Sequence, residues 1–285
     1  MVQPEIRFRF GRNWQKFERQ LTERQVAAAR ESMQELLKTT DLTGKRFLDA
    51  GSGSGLFSLC AFQLGASVTS FDYDTDSVAC TQHLKERENA HDDRWRVLEG
   101  SVLDAEFLKQ LGIFDVVYSW GVLHHTGQMW NAFDRLIPSI AEHGTLAIAI
   151  YNDQGLASRI WSVTKSLYHR LPRILRLPYL LMIFLWGFLC RFTTTALAVL
   201  VRLITLKNPI IPISRWRNEE RPRGMHRWYD HVDWVGGWPF EVARPGEIFR
   251  FAYDRGFDLI RLETTPGSGC NEYVFRRRNQ RSIER

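Results

Sequence analysis

Residues 47–55 read Phe-Leu-Asp-Ala-Gly-Ser-Gly-Ser-Gly, and an apolar segment follows them directly. This order predicts a short buried strand, a glycine-rich turn and then a helix. Gly51, Gly53 and Gly55 lack a Cβ atom, so the backbone can reverse there and come close to a bound ligand. A dinucleotide turn needs G-x-G-x-x-G, but Leu56 stands where that pattern, counted from Gly51, requires glycine. The spacing therefore argues against a nicotinamide dinucleotide.

The turn resembles the first motif of the class I S-adenosylmethionine (SAM)-dependent methyltransferases, which is an acidic residue followed by G-x-G-x-G. Asp49 and the three glycines match this motif. The resemblance implies SAM as the cofactor and S-adenosylhomocysteine as its product, held by Asp49, Gly51, Ser52, Gly53 and Gly55. A generic Rossmann-like turn that does not bind SAM is the alternative.

An acidic residue at the end of the second strand is expected to hold the ribose hydroxyls of an adenosine ligand. Asp72 fills that place, 21 residues after the first glycine of the turn, with Tyr73 beside it. In the family, residues after the third strand hold the adenine, often through an aspartate, and Ser101 stands there in this chain. Because Ser101 replaces that aspartate, the contact with the adenine is expected from the Val102 backbone or from Asp104. We assign Asp72, Tyr73, Ser101 and Val102 to the cofactor site.

Short apolar runs alternate with helical stretches from Lys45 onward, which predicts a doubly wound, mostly parallel sheet. The alternation stops after Tyr151 and resumes with a helix at 247–255 and two strands joined through Pro266 and Gly267, which suits a β-hairpin. With the resemblance, this indicates an α/β fold: the Rossmann-like seven-stranded sheet of SAM methyltransferases with a helical insertion. The predicted strands are 46–50, 67–72, 95–98, 114–120, 145–150, 259–264 and 272–275.

The same pattern divides the chain into four segments. Thr22 and Gln25 predict a capping box at the start of an amphipathic helix, which ends the first segment. The segments are an N-terminal helical cover at 1–44, a SAM-binding core at 45–160, a basic and apolar helical insertion at 161–227, and the rest of the core with a substrate-side loop and the hairpin at 228–285.

The formal charge of +6 is concentrated in one segment. Between Lys165 and Arg227 there are 12 Lys/Arg and 2 Asp/Glu, which leaves 26 and 30 for the rest of the chain. The four cysteines are far apart and form no C-x-x-C pair, so neither a zinc site nor a disulfide framework is indicated. Charges throughout the N-terminal region argue against a signal peptide. We expect a cytoplasmic location that extends to the inner face of the membrane.

The stretch from Tyr118 to Thr126 follows the fourth strand at the carboxyl edge of the sheet, where open α/β sheets bind ligands. It resembles the family's fourth-strand motif, whose loop faces the sulfonium and the acceptor, so we assign Trp120 to the cofactor site. His125 is the candidate catalytic base, because family members commonly carry histidine there. The alternative is that His125 only orders the loop. His124 is assigned either to packing or to the acceptor.

Two absent motifs narrow the chemistry of the acceptor. No [Asp/Asn]-Pro-Pro-aromatic sequence follows the fourth strand, which argues against the amino methyltransferases that act on nucleobases or glutamine. The loop also lacks the glutamate of the quinone O-methyltransferases, although the overall layout resembles that branch of small-molecule enzymes. An oxygen or carbon acceptor is therefore expected, without a metal ion.

Aromatic and polar side chains are dense near both ends of the chain. In related enzymes an N-terminal segment folds over the cofactor, so we assign Trp14 to the cofactor site, with packing of the N-terminal helix as the alternative. The run 225–240 suggests a pocket wall, and its histidines and aspartates match no standard metal-site spacing. The acceptor-binding candidates are His124, Tyr151, Asn152, Trp228, His231 and Trp234.

The chain is almost entirely apolar from Pro178 to Leu206, interrupted by Arg191 and Arg202. A helix would carry both arginines on one narrow polar stripe. A central arginine is costly in a bilayer, so an interfacial helix or a helical hairpin, with flanking arginines on anionic headgroups, is favoured over a single spanning helix. The alternative is a roof over the active site, packed on the sheet domain or on the second subunit of a homodimer.

The sequence therefore predicts methyl transfer from SAM to an oxygen or carbon atom of a small, lipophilic or lipid-linked acceptor. A competing class is a non-catalytic, membrane-associated binding module that retains the SAM fold. A nucleic-acid surface is disfavoured, because the arginines flank an apolar helix rather than forming a hydrophilic groove. RNA methylation is a minor alternative.

Overall fold

The computed structural model describes residues 8, 10, 11, 14, 21–217 and 227–279, and of residues 215–217, 227, 229 and 230 it describes only the backbone. The strands are β1 Arg46–Ala50, β2 Ser67–Asp72, β3 Trp95–Glu99, β4 Phe114–Trp120, β5 Ile140–Tyr151, β6 Phe257–Glu263 and β7 Cys270–Arg277. They form one sheet in the order β3-β2-β1-β4-β5-β7-β6. The first five are parallel, and β7 is antiparallel to β5 and β6. The predicted fold class, with its terminal hairpin, is confirmed.

Helices connect these strands and build the insertion. The predicted capping box is present, because Thr22 N–H donates to Gln25 Oε1 at 2.8 Å and Gln25 N–H donates to Thr22 Oγ1 at 3.3 Å. The helices of the described part are α1 Glu23–Leu37, α2 Leu56–Gln63, α3 Thr75–Arg87, α4 Ala105–Leu111, α5 Met129–Leu136, α6 Leu156–Arg170, α7 Arg173–Ile204, α8 Ile210–Arg217, α9 Arg227–Gly236 and α10 Pro245–Tyr253, with 3-10 turns at Leu123–His125 and Ile137–Ser139.

Both faces of the sheet are covered, because successive side chains of a strand point to opposite faces. In β1, Leu48 and Ala50 belong to the core beneath α4, α5 and α10, and Phe47 belongs to the core beneath α1, α2 and α3. The strand order reverses between β1 and β4. The carboxyl edge of these two strands is therefore the switch point at which an open α/β sheet binds its ligand.

The structure corrects the predicted insertion in three ways. Helix α6 begins at Leu156, inside the segment predicted as core, and the chain from Arg227 is a helix rather than a loop. Of the two predicted forms, the helical hairpin is wrong, because α7 is one continuous helix, and the interfacial helix stays a prediction. Gly187 stays within that helix, and Pro178 removes one hydrogen bond near its start without ending it. The last three strands also differ from their predicted bounds by up to five residues at an end.

Helices α6, α7 and α9 pack together beside the sheet, around the buried residues Tyr168, Leu180 and Val235. Leu180 is the single buried residue of α7, all of which is described. Only the start of α7 therefore packs on α9, and a roof formed by the whole helix over the sheet domain is excluded.

Candidate functional site

The glycine-rich turn lies between β1 and α2 at the switch point. Gly51, Gly53 and Gly55 have φ angles of +87°, +55° and +78°, a region in which a Cβ atom is strained. A Cβ on Gly51 would lie 2.5 Å from both Cγ atoms of Val122. The turn therefore touches the loop after β4, and glycine at position 51 serves both the backbone conformation and this contact.

The amide groups of the turn are largely satisfied within the protein. The N–H groups of Gly51 and Ser52 donate to the carbonyl of Phe71 at 2.8 and 3.0 Å. The N–H of Gly53 donates to Oδ2 of Asp72 at 2.9 Å. A phosphate-binding turn directs such groups at ligand oxygens instead. This turn therefore fits an adenosine cofactor without phosphate groups, and SAM is such a cofactor.

Two carboxyl groups flank the turn in surroundings of low polarity. Asp49 accepts a hydrogen bond from Ser58 Oγ at 2.6 Å, and Oδ1 of Asp72 accepts one from Asp74 N–H at 2.9 Å. Burial raises the pKa of Asp49 to about 7 and the pKa of Asp72 to about 6. A positively charged ligand stabilises the ionised form of such carboxylates. SAM carries a sulfonium and an ammonium group, so these residues fit it.

The stretch after β3 departs from the family's pattern. Oγ of Ser101 accepts a backbone N–H at 3.2 Å, and the side chain of Val102 lies in the core, which leaves its backbone for the adenine. Asp104 caps α4 by accepting two N–H groups of its first turn, so the alternative adenine contact through Asp104 is disfavoured. The side chain of Tyr73 is 60% exposed.

Two described residues before α1, Trp14 and Phe10, lie over the turn and over the β4 loop. A Cβ on Gly53 would lie 3.4 Å from the indole Nε1 of Trp14. The rings of Phe10 and His125 are 5.0 Å apart. These two residues therefore cover the carboxyl edge of the sheet, with Trp14 beside the cofactor turn and Phe10 beside the β4 loop.

Two further cofactor candidates direct their side chains to the protein. Oγ of Ser52 is 2.9 Å from Thr81 Oγ1 in α3. Trp120 donates its indole N–H to Glu272 in β7 at 2.8 Å, on the face covered by α1 and α2. Neither contact contradicts the assignment of Ser52 and Trp120 to the cofactor, and both roles stay predictions.

His125 lies in the 3-10 turn after β4. Its Nδ1 is 2.7 Å from the carbonyl oxygen of Pro239, which makes Nδ1 the protonated nitrogen. Burial, together with the charge of Lys165, lowers the pKa of His125 to about 3. A histidine with this pKa is uncharged and weakly basic at neutral pH. The structure therefore favours the loop-ordering role of His125 over the role of catalytic base.

His124 and Tyr151 face each other beside His125, with ring centroids 3.8 Å apart. The N–H of Tyr151 donates to Nδ1 of His124 at 3.4 Å. The ring of Tyr151 also lies 5.1 Å from Trp234 and 5.4 Å from Phe240. Three predicted acceptor residues, His124, Tyr151 and Trp234, are thus brought together next to the β4 loop.

Lys165 lies among these rings, and the sequence analysis missed it. It is 0% exposed, and its Nζ lies 4.4 Å from the ring centre of Trp234 and 4.7 Å from that of Phe240. The Nζ also donates to the backbone carbonyl of Trp234. Burial lowers the pKa of Lys165 to about 7, and the charge of Asp233 partly opposes this. We call the group the acceptor cluster; its members are His124, His125, Tyr151, Lys165, Trp234 and Phe240.

Two predicted acceptor residues, Trp228 and His231, lie outside the acceptor cluster, and their assignment to the acceptor stays a prediction. Trp228 and His231 pack against α7, with rings 5.9 and 5.3 Å from the ring of Phe184. Nε2 of His231 is 3.0 Å from the carbonyl oxygen of Leu180. Trp228 and His231 are three residues apart and share the face of α9 that turns toward α7. Trp234 is six residues from Trp228, so it lies on a different side of α9 and faces the acceptor cluster.

Asn152 also has a structural contact in place of the predicted acceptor contact. Its Nδ2 donates to the carbonyl of Thr265 at 3.2 Å, and its backbone N–H donates to the carbonyl of Gly269 at 2.9 Å. These bonds tie the end of β5 to the connection between β6 and β7. The amide of Asn152 is directed at this connection, and its assignment to the acceptor stays a prediction.

Metal ligands were considered in the run 225–240. Within 21–217 and 227–279 no group of three or more His, Cys, Asp and Glu side chains is arranged to hold a metal ion. His226 and the side chain of Asp230 lie outside the described part of the chain.

Comparisons with known proteins bear on the fold and the family. Residues 18–204, more than half of the chain, match the profile of a methyltransferase domain family. The chain is 30% identical over 120 residues to a ubiquinone biosynthesis O-methyltransferase of Glaesserella parasuis, covering 40% of this chain and 49% of that protein. It is 27% identical over 122 residues to the mitochondrial ubiquinone biosynthesis O-methyltransferase of Schizosaccharomyces pombe, covering 43% of each.

The chain therefore spans about half the length, or less, of these curated relatives. The structure is similar to magnesium protoporphyrin IX methyltransferase of Synechocystis PCC 6803 with bound S-adenosylhomocysteine, with a TM-score of 0.50 and 16% identity. The similarity covers 88% of this chain and 83% of that one. At this identity the likeness concerns the fold alone.

Proposed function

The chain belongs to the SAM-dependent methyltransferases, and we propose that it transfers the methyl group of SAM to an oxygen or carbon atom of a small, lipophilic acceptor at a membrane surface. One observation carries the proposal: the turn that fits SAM and the acceptor cluster are joined through a single loop. Gly51 in the turn contacts Val122, and the 3-10 turn Leu123–His125 that follows supplies two members of the acceptor cluster.

The composition of the acceptor cluster supports a lipophilic acceptor. All five of its rings, those of His124, His125, Tyr151, Trp234 and Phe240, lie within about 5.5 Å of a neighbouring ring. Aromatic walls with few polar groups bind apolar molecules and orient them through those few groups.

The residues of the site would act by positioning and by excluding water. SAM supplies a methyl group that is activated by its sulfonium. Transfer is an in-line displacement, so alignment of the acceptor atom with the methyl group lowers most of the barrier. Asp72 holds the ribose, Trp14 and Phe10 cover the edge of the sheet, and the acceptor cluster orients the acceptor against the turn.

Helix α7 supports contact with a membrane. Its most apolar window of 18 residues has a mean hydropathy of 1.7, so the helix is long and apolar enough to cross a membrane by length and composition. A core helix of a soluble protein can meet the same criterion, but none of this window is buried. The 32 residues would extend about 48 Å, more than the roughly 30 Å hydrocarbon core.

Most exposed side chains of α7 are apolar, whereas a helix that faces water exposes mainly polar side chains. Three residues of the polar stripe, Arg191, Thr195 and Arg202, are half-buried, whereas Thr194 is exposed. Water-exposed apolar surface of this extent is typical of a membrane or protein contact, and Arg170, Arg173 and Arg176 before the apolar stretch are suited to anionic headgroups. The exposed side chains include Trp186, Leu189, Leu197, Leu200 and Ile204.

Methyl transfer is tested with SAM labelled in its methyl group and a membrane extract as the source of acceptor. We expect label in an organic-extractable product from the wild-type protein and none from Asp72→Asn, because Asp72 is the expected ribose ligand. Lack of SAM binding in calorimetry would refute the methyltransferase function. Label that appears only in water-soluble acceptors or in RNA would refute the lipophilic acceptor.

Membrane contact is tested by sedimentation with vesicles. We expect the protein to pellet with phosphatidylglycerol vesicles at low salt, and less with phosphatidylcholine vesicles. The double variant Trp186→Glu and Leu189→Glu should stay in the supernatant. Ile113→Glu is the matched control, because Ile113 is 53% exposed but lies on the sheet domain. A wild-type protein that stays in the supernatant and is dimeric would refute membrane contact and assign α7 to a subunit interface.

A further inference from the structure

Lys165 has an unusual position for a lysine. Its ammonium end is enclosed by the rings of Trp234, Phe240 and Tyr151, at 4.4, 4.7 and 5.8 Å from their centres. Its hydrogen bond is to the carbonyl of Trp234. Among the described residues none forms an ion pair with it. A charged ammonium in such a place is costly unless a partner anion is supplied.

A structural role explains only part of this arrangement. Trp234 and Gly236 are in the last turn of α9, where Lys165 and His169 bond to their carbonyls. Cations near the end of a helix do stabilise it. One carbonyl, however, uses one of the three N–H groups of an ammonium. The enclosure by three rings and the absence of an ion-pair partner within the described residues point to a ligand.

His124 is a second, independent sign of a ligand at the same place. Tyr151 N–H lies 3.4 Å from Nδ1 of His124, and the ring also has a backbone hydrogen bond with Ala149. The Nε2 of His124 is buried and has no hydrogen-bond partner in the described structure, which is uncommon for a polar atom. The ring of His124 lies against Tyr151, whose other neighbours include Lys165.

We propose that Lys165 is a catalytic residue that binds an acidic hydroxyl of the acceptor and takes its proton, and that Nε2 of His124 forms a hydrogen bond with the same hydroxyl group. This inference rests on the proposed methyl transfer and narrows it to an oxygen acceptor of the phenol or enol class. The O–H proton passes to Nζ of Lys165, and the oxygen forms the new bond to the methyl carbon. The S–CH3 bond breaks with its electron pair on sulfur, and the lysine later returns its proton to water.

The ionisable groups around Lys165 agree with this division of roles. His124 and His125 in the 3-10 turn have lowered pKa values, through burial first, and stay neutral. Burial raises the pKa of Tyr151 well above its ordinary value, so Tyr151 stays neutral. Burial also lowers the pKa of His169, which lies on α6 with Lys165. Asp233 on α9 favours the charged form of Lys165. The pKa of Lys165 is about 7, which suits proton exchange near neutral pH.

The test uses 4-nitrophenol as the probe, because its phenolate absorbs visible light and its neutral form does not. The full chain is first loaded with S-adenosylhomocysteine, and calorimetry records that binding. The probe is then titrated in a buffer below its own pKa, where the unbound probe is mostly neutral. We expect the wild-type protein to bind it as the phenolate. Lys165→Met should bind it at least about ten-fold more weakly and without the phenolate band.

Lys109→Met is the matched control, because Lys109 is exposed on α4, and it should behave as the wild-type protein. Absence of the phenolate band from the wild-type protein, or an unchanged band in Lys165→Met, would overturn the inference. Failure to bind S-adenosylhomocysteine at all would instead overturn the proposed function.

If Lys165→Met does not fold, Lys165→Arg decides the question, because arginine keeps the positive charge but does not accept a proton. We then expect this variant to lose the phenolate band in the same buffer, because arginine does not take the proton of the probe. Its methyl transfer at neutral pH should fall at least about ten-fold and recover as pH rises toward the pKa of the acceptor. Unchanged turnover in Lys165→Arg with the wild-type pH profile would show that Lys165 only holds the end of α9.

Discussion

Gly51→Ala tests the contact that joins the cofactor turn to the acceptor cluster. The φ of +87° at position 51 makes an alanine strained by about 1–2 kcal/mol. The new Cβ would also lie 2.5 Å from both Cγ atoms of Val122, and crowding of this kind costs about 1–3 kcal/mol more. The free energy of unfolding should therefore fall by about 2–5 kcal/mol.

Gly44→Ala is the matched control, because Gly44 has a φ of +73° but nothing within 4 Å of its Cβ position. It should lose only the conformational part, about 1–2 kcal/mol. Denaturation by urea, followed by circular dichroism, measures both losses. Val122→Ala should recover most of the difference when combined with Gly51→Ala, in a double-mutant cycle. Equal losses in the two glycine variants, or no recovery, would refute the inferred contact.

Three other predictions follow from the site. SAM should bind more tightly at about pH 8 than at about pH 5.5, because the pKa of Asp72 is raised to about 6 and the cation favours its ionised form; equal affinities in calorimetry would contradict this. Burial raises the pKa of Asp49 to about 7 in the folded protein, so folding favours the protonated carboxyl group. The free energy of unfolding of the free protein should therefore fall as pH rises toward about 7. Asp49→Asn should make the melting temperature less dependent on pH over the same range. His125→Gln should leave the pH profile of methyl transfer unchanged between about pH 5 and 9, because a group with a pKa of about 3 does not titrate there; a shifted profile would restore the catalytic-base interpretation.

Much of the sheet domain was predictable, because its signals are local in sequence. The glycine turn, the acid at Asp72 and the capping box at Thr22 each depend on backbone geometry within a few residues. Four strands, β1 to β4, were predicted to within one residue. β5 begins at Ile140, five residues before its predicted start. Ile140 pairs with Phe114, and the register with β4 shifts after this pair, which the apolar pattern does not reveal.

The insertion was predicted less well, because its apolar residues do not show what they face. A nearly continuous apolar run is compatible with one helix or with two. Trp228, His231 and Trp234 looked equivalent in the sequence, yet only Trp234 faces the acceptor cluster. The direction of each side chain depends on how α9 is rotated between α6 and α7, and no local pattern contains that rotation.

The sequence by itself indicated the methyl donor, because the motif from Asp49 to Gly55 resembles the first motif of the SAM-dependent methyltransferases and Asp72 stands at the end of the second strand. Only the tertiary structure decided the composition of the acceptor side. Lys165 lies 69 residues before the carbonyl that it binds, and its burial, its aromatic enclosure and its lowered pKa arise from that long-range packing. Solvation and charge at a site depend on all neighbours in space, whereas backbone turns depend on neighbours along the chain.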